Sequence, residues 1–246
     1  MEKLFKLRTK DGHNIHGILN FKNRLPNKCV IFVHGLTGKP NNHWFYNAKN
    51  YFVQKGYAVI RFYLYTDLPQ ARQLDQCTLA IHSQDLNQVI DYARRKGFKS
   101  LSLVGHSLGG PTILNAKTKN LSSLVFWDPL FNPQQFIKDV AIFDKQMNAY
   151  ILKWGVTHIL GKPMYQELCN VTHYKTALKE NMIPIKIIAA GKGFFLKDCR
   201  QYYQHARSQK SLVVIAGATH CFDEEGTASK LFKESHEWIA KHQPNH

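Results

Sequence analysis

A serine held between glycines at the seam of a strand and a helix constrains this chain more than any other feature. Gly105-His106-Ser107-Leu108-Gly109-Gly110 follows the apolar run Ser100–Val104 and precedes a segment with helical spacing. Such a seam forces the serine into a tight turn whose crowded backbone only flanking glycines can clear. The turn lifts the Ser107 hydroxyl above a sheet and aims the next amide, Leu108 N–H, toward whatever lies in front of it. Gly110 lets the helix pack close. A turn of this kind needs a buried strand feeding a helix, so it predicts an α/β architecture.

The rest of the chain repeats that alternation. Residues 3–9 and 13–20 read as an antiparallel edge hairpin turned at Asp11-Gly12, and Cys29–Val33 as a buried strand. Asn41 or Asn42 can cap a helix burying Phe45, Ala48 and Phe52, with Gly56 as its stop. Tyr57–Phe62 is a strand. Leu79, His82, Leu86, Val89, Ile90 and Ala93 then recur at a helical period. Strands at Leu121–Trp127, Ile183–Ala189 and Leu212–Ile215 follow, with a last helix burying Leu231, Ser235, Trp238 and Ile239. Strands alternating with amphipathic helices imply a mainly parallel sheet covered on both faces.

The stretch 129–182 interrupts this pattern. Asn132-Pro133 starts a helix, and Phe136, Val140, Phe143, Met147, Tyr150, Ile151 and Trp154 fall on one face, with Gly155 as its end. A second helical segment lies around 164–180. The expectation is one domain over 1–246, with a small helical cap inserted at about 129–182 over the active-site end of the sheet.

Two further loops carry chemistry. His34-Gly35-Leu36-Thr37-Gly38 directly follows the buried strand at 29–33. It can deliver Leu36 N–H beside Leu108 N–H, a pair of donors for the negative oxygen of a tetrahedral intermediate. The His34 side chain is read as structural. Gly217-Ala218-Thr219-His220 follows the last strand, where a histidine can reach the end of a central strand and take the Ser107 proton. His106 is the only rival near the turn, and it is too close in sequence to point at the neighbouring hydroxyl.

The H-G-x-x-G loop, the G-x-S-x-G turn and the late histidine, in that order, resemble the α/β-hydrolase superfamily over nearly the whole chain. The resemblance implies an eight-stranded, mostly parallel sheet and a Ser–acid–His triad in chain order. Small-cap esterases, acylglycerol lipases and serine aminopeptidases are nearest in layout. One departure is Tyr63-Leu64-Tyr65-Thr66-Asp67-Leu68-Pro69, where many of these proteins carry a G-x-G-x-S turn. The superfamily usually places the acid about three residues past a glycine ending the penultimate strand. That glycine is Gly191, but the third residue on is Phe194, and the nearest carboxylate is Asp198. Asp198 also reads as the N-cap of the helix carrying Tyr202 and Tyr203. The other candidate is Asp128 in Trp127-Asp128-Pro129, a position that lipases resembling the pancreatic type use. Asp128 is preferred because strand ends are rigid, and Asp198 is the alternative.

Composition bounds the rest. The chain has 246 residues and a net charge of +16, with 33 Lys+Arg against 17 Asp+Glu. The basic residues are dispersed, Arg94-Arg95-Lys96 being the longest run, so a solvated surface is read in preference to a nucleic-acid site. No apolar run reaches the roughly 20 residues of a membrane-spanning helix. The N-terminus lacks a signal-peptide core, which together with five scattered cysteines gives a cytoplasmic reading. No metal-ligand spacing appears, and neither metal nor cofactor is expected. The function expected is cleavage of a small carboxylic ester or thioester through an acyl-enzyme. The basic surface favours an anionic leaving group or head group. Peptidase and acyltransferase chemistry use the same triad, and a binding protein on a catalytically dead hydrolase scaffold is the rival from another class.

Overall fold

The computed structural model describes residues 1–154 and 156–244. Eleven strands and eight α-helices are described there: β1 Glu2–Arg8, β2 Asn14–Asn20, β3 Lys28–Val33, α1 His43–Gln54, β4 Ala58–Phe62, α2 Leu79–Arg95, β5 Ser100–His106, α3 Gly109–Leu114, β6 Ser123–Trp127, α4 Pro133–Val140, β7 Ala141–Asp144, β8 Ala149–Trp154, β9 Val156–Leu160, α5 Lys162–Asn170, α6 Tyr174–Glu180, β10 Ile185–Ala190, α7 Leu196–His205, β11 Lys210–Ile215 and α8 Thr227–Lys241. Eight strands form one sheet in the order β1-β2-β4-β3-β5-β6-β10-β11. The first hairpin and the β2–β4 pair are antiparallel, and every other pair is parallel. Gly12, at φ +86°, supplies the left-handed residue that the first turn needs.

The central strands read as near-continuous apolar runs because both faces are covered. Ile31, Leu103, Leu124 and Ile187 pack on one side with α2, while Val30, Val104, Val125 and Ile188 pack on the other with α1 and α8. After β3 the chain adds β4 on one side, and it later returns to add β5 on the other. The C-terminal ends of β3 and β5 therefore border the crevice where the strand order reverses, the place where open α/β sheets bind ligands. Register aligns these ends: Val33 pairs with Gly105, His106 with Trp127, and Trp127 with Ile188.

The insertion departs from the helical cap expected at 129–182. Helix α4 stops at Val140, and β7, β8 and β9 form an antiparallel three-stranded sheet where the helix was expected to continue. Asp144 Oδ1 accepts the Met147 amide, and Asn148 sits at φ +51°, so 144–148 is a turn. Phe143 and Met147 are exposed, not aligned on a buried stripe. Runs rich in β-branched and aromatic residues (AIF, YILKW, VTHIL) then pair across that turn. Gly155, expected to end the helix, lies outside the described residues. The second helical segment is two helices, α5 and α6, separated at 171–173. Asn42 does stand at the N-cap of α1, but its side chain accepts the Lys39 amide and leaves the helix uncapped.

Candidate active site

Ser107 closes β5 at φ +55°, a left-handed conformation that costs an L-residue about 1–2 kcal/mol. Packing and hydrogen bonds hold it there. Its N–H donates to Trp127 O at 3.1 Å, and its carbonyl accepts Gly110 N–H at 3.0 Å. A Cβ on Gly109 would collide with the Val33 carbonyl, and one on Gly35 would lie 2.8 Å from Ser107 Cβ. Only glycine allows the β3 loop and the start of α3 to approach the serine this closely. Helix α3 begins at Gly109.

That approach sets Leu36 and Leu108 on the wall of the same cavity as Ser107. Among the described residues, neither their N–H groups nor the Ser107 hydroxyl has a hydrogen-bond partner. His34 anchors the β3 loop. Its Nδ1 donates to Gly35 O at 2.9 Å, and its Nε2 accepts Leu64 N–H at 3.1 Å. Burial lowers its pKa to about 4, so the ring stays neutral and keeps this tautomer. His34 is structural.

Asp128 follows β6 at φ +39° and is wholly buried. Its Oδ1 accepts Ala190 N–H at 3.1 Å and the Cys199 thiol at 3.5 Å. Its Oδ2 lies 2.7 Å from His220 Nδ1. With a carboxylate on Nδ1, the proton belongs there, and His220 Nε2 is left as an acceptor. His220 reaches inward from the loop after β11, three strands from β5, a span of about 14 Å at the usual spacing. Two contacts steady it. His106 Nε2 lies 2.9 Å from His220 O, with the rings 4.5 Å apart, and Phe195 meets the ring edge-on at 5.0 Å. Burial lowers the His106 pKa to about 3, so that ring is neutral and Nε2 is its donor.

Asp198 stands elsewhere in the network. Phe195 is the N-cap of α7, and Asp198 lies inside the first turn, contrary to its reading as the cap. Its Oδ2 accepts Phe131 N–H at 2.6 Å and Asn132 N–H at 3.0 Å, which fixes the entry to α4. It borders the cavity and, among the described residues, makes no hydrogen bond to His220. Sequence reasoning missed Cys199, the Asp198 anchor and the support from His106. Each is a contact between residues 66 to 114 positions apart, with no local signal to announce it.

The cavity has a volume of about 970 Å³ and is lined mainly by apolar groups. Trp154 of β8, Phe136 of α4 and Phe195 form a continuous aromatic wall leading to His220, with ring centroids 5.6, 5.2 and 5.0 Å apart in turn. Among the described residues, no group of three or more His, Cys, Asp or Glu side chains is placed to hold a metal ion.

Solved structures resemble this fold over nearly the whole chain. Est1E from Butyrivibrio proteoclasticus, solved with ferulic acid, is 18% identical with a TM-score of 0.82, and 95% of this chain covers 97% of that one. The chain has the α/β-hydrolase fold. An esterase domain of a Rhodothermus marinus protein is similar to this chain at 18% identity and a TM-score of 0.77, covering 98% of each chain. Mouse alpha/beta hydrolase domain-containing protein 10 is similar at 18% identity and a TM-score of 0.74, covering 97% of this chain and 99% of that one. The family model described as "Putative serine esterase (DUF676)" matches residues 23–144 of the chain. That span holds the β3 loop, the Ser107 turn and Asp128, and it ends before His220. No curated protein matches the chain.

Proposed function

We propose that the chain is a serine hydrolase that cleaves a carboxylic ester or thioester through an acyl-enzyme on Ser107. The observation that carries this reading is the 2.7 Å pair of His220 Nδ1 and buried Asp128, bordering a serine held at positive φ. The match to a serine esterase family model and the esterases among the similar structures support it.

In this reading Ser107 Oγ attacks the carbonyl carbon while its proton passes to His220 Nε2. The carbonyl oxygen becomes an oxyanion between Leu36 N–H and Leu108 N–H, donors worth a few kcal/mol each in the transition state. Asp128 stays ionised, keeps Nδ1 protonated and offsets the imidazolium charge. Collapse of the intermediate expels the alkoxide or thiolate, which leaves with the His220 proton. Water then loses a proton to His220, attacks the acyl-enzyme and releases the acid, and Ser107 regains its hydrogen.

The cavity bears on the substrate. Among the described residues, its lining carries Asp139, Asp198 and Asp223 and no Lys or Arg, so the anionic group expected from net charge finds no Lys or Arg counter-ion there. The substrate in this reading is a small ester with an apolar or aromatic portion against the Trp154–Phe136–Phe195 wall. A cytoplasmic location belongs to the same proposal and rests on five free cysteines, three of them buried. Among the described residues, no helix is long and apolar enough to cross a membrane.

Labelling with a fluorophosphonate tests the reading. Wild type should be labelled at Ser107 and should hydrolyse short neutral esters. Ser107→Ala should lose the label and lower turnover by several orders of magnitude, as happens when one member of a cooperating triad is removed. Folded Ser107→Ala with wild-type turnover would refute it. Amide substrates and added alcohol acceptors, assayed in parallel, separate peptidase and acyltransferase activity from hydrolysis of esters.

A further inference from the structure

We propose that the esterase cavity selects substrates bearing an alkylammonium group, an inference that rests on the serine-hydrolase reading and deepens it. The cavity is acidic and aromatic on a chain that is otherwise strongly basic. The charge of the chain is +16, yet the ionisable lining residues are Asp139, Asp198, Asp223, His106, His220 and Cys221. His106 is held neutral by burial, and Cys221 is a thiol whose pKa burial raises to about 11. Asp223 pairs with His43 Nε2 at 2.5 Å, which leaves Asp139 and Asp198 as the lining carboxylates without a basic partner among the described residues.

Rings and carboxylates are paired along the wall. Asp139 lies one helical turn from Phe136 on α4, the spacing that puts two side chains on one helix face, and Asp198 lies in the first turn of α7, three residues after its N-cap Phe195. Both amides that bond Asp198 use Oδ2, so Oδ1 carries no backbone donor. Among the described residues, Asp139 Oδ1 accepts only the Gln135 side-chain amide, at 2.8 Å. Lys138 and Lys197 adjoin these residues in sequence but do not line the cavity.

The rings have no cation of their own. Elsewhere lysines and one arginine sit over Phe21, Tyr46, Tyr51, Tyr57, Tyr92 and others, but among the described residues none sits over a ring of the cavity wall. Aromatic faces beside carboxylates, without competing bases, attract a weakly hydrated ammonium through the ring quadrupole and the charge together. Solvent and salt screen the exposed lysines outside the lining, over a length of about 8 Å at physiological ionic strength. Contact groups decide the preference.

Three esters of matched shape provide the test: 2-trimethylammonioethyl butanoate, its uncharged isostere 3,3-dimethylbutyl butanoate, and 2-sulfonatoethyl butanoate. The cationic ester should exceed the neutral one in kcat/KM by roughly tenfold, with the anionic ester slowest. Asp139→Asn, at an exposed position, should reduce that ratio several-fold. Binding is measured separately with Ser107→Ala, titrating phenyltrimethylammonium and benzenesulfonate against tryptophan fluorescence. Tighter binding of the cation, weakened by Asp139→Asn, supports the site. Hydrolysis of all three esters at equal kcat/KM, with no cation binding, overturns the inference and leaves the serine-hydrolase reading standing. Cation binding without hydrolysis of any ester overturns that reading and supports the site. Failure of both hydrolysis and binding overturns both.

Discussion

Asp128 follows β6 and Asp198 lies in the first turn of α7, and their donors assign them different work. Asp128 faces a ring nitrogen, a thiol and one amide, whereas Asp198 faces two amides of the loop that starts α4. Asp128→Asn keeps the shape, but an amide on His220 favours the wrong tautomer and cannot offset an imidazolium. Turnover of a neutral ester should fall by roughly three to four orders of magnitude. Asp198→Asn loses the charge from two hydrogen bonds and should cost about 1–3 kcal/mol of stability. Its turnover should stay within roughly tenfold of wild type. Stopped-assay kcat and urea midpoints on both variants check this, and the opposite ranking would make Asp198 the acid. The same pair marks how far the site is legible in sequence. Ser107, Leu108 and Leu36 were readable because strand-to-loop turns demand glycines locally. His220 was readable because it follows the last strand. The sequence leaves the acid open between Asp128 and Asp198, because the contact that favours Asp128 spans 92 residues and nothing near either aspartate encodes it.

Elements transmit these demands through close backbone approach, and the α3–β3 contact is the tightest near the site. A side chain on Gly109 would strike the Val33 carbonyl, a backbone group that cannot swing aside. Gly109→Ala should push α3 off β3, taking the Leu108 amide and Ser107 with it. Overpacking of this sort costs about 1–3 kcal/mol, and kcat should fall at least roughly tenfold because the donors no longer converge. Gly217→Ala is the control: φ is +83° but nothing lies within 4 Å of the added Cβ, so it should cost only the local conformational strain of about 1–2 kcal/mol. Equal kcat for Gly109→Ala and wild type would remove the packing argument. The sheet itself was legible because buried parallel strands leave uninterrupted apolar runs such as Val30–Val33 and Leu124–Trp127. The insertion was misread because apolar residues at 136, 140, 143, 147, 150, 151 and 154 fit a helical period by coincidence. Turn chemistry at Asp144–Asn148 outweighed that period, and only the cross-strand partners in β7, β8 and β9 reveal it.

Across the whole molecule, buried histidines tie folding to pH. His34, His82 and His106 are all buried, and burial lowers their pKa values to about 4, 3 and 3, from the ordinary 6.5. Folded, these rings are neutral over most of the acid range; unfolded, they take up protons below about 6.5. The unfolded chain therefore binds more protons between the folded and unfolded pKa values. Stability is full above about pH 6.5 and is lost as pH falls toward 3–4, by up to about 1.4 kcal/mol per pH unit for each ring. Asp85 works in the opposite direction. Burial pushes its pKa up to about 7 against the pull of Arg72, so it offsets about one histidine. The net expectation is a urea midpoint that falls between pH 7 and pH 5. His82 isolates the effect, because both its ring nitrogens are buried without a hydrogen-bond partner among the described residues. His82→Phe removes the titration and the unpaired polar atoms together. At pH 7 it should be at least as stable as wild type. Its stability should then fall less steeply with acid, by about 1.4 kcal/mol per pH unit between pH 6 and pH 4. Urea melts of both proteins at pH 7, 6, 5 and 4 give the two slopes. Parallel slopes would show that His82 is protonated in the folded protein, and its burial would then need a proton acceptor.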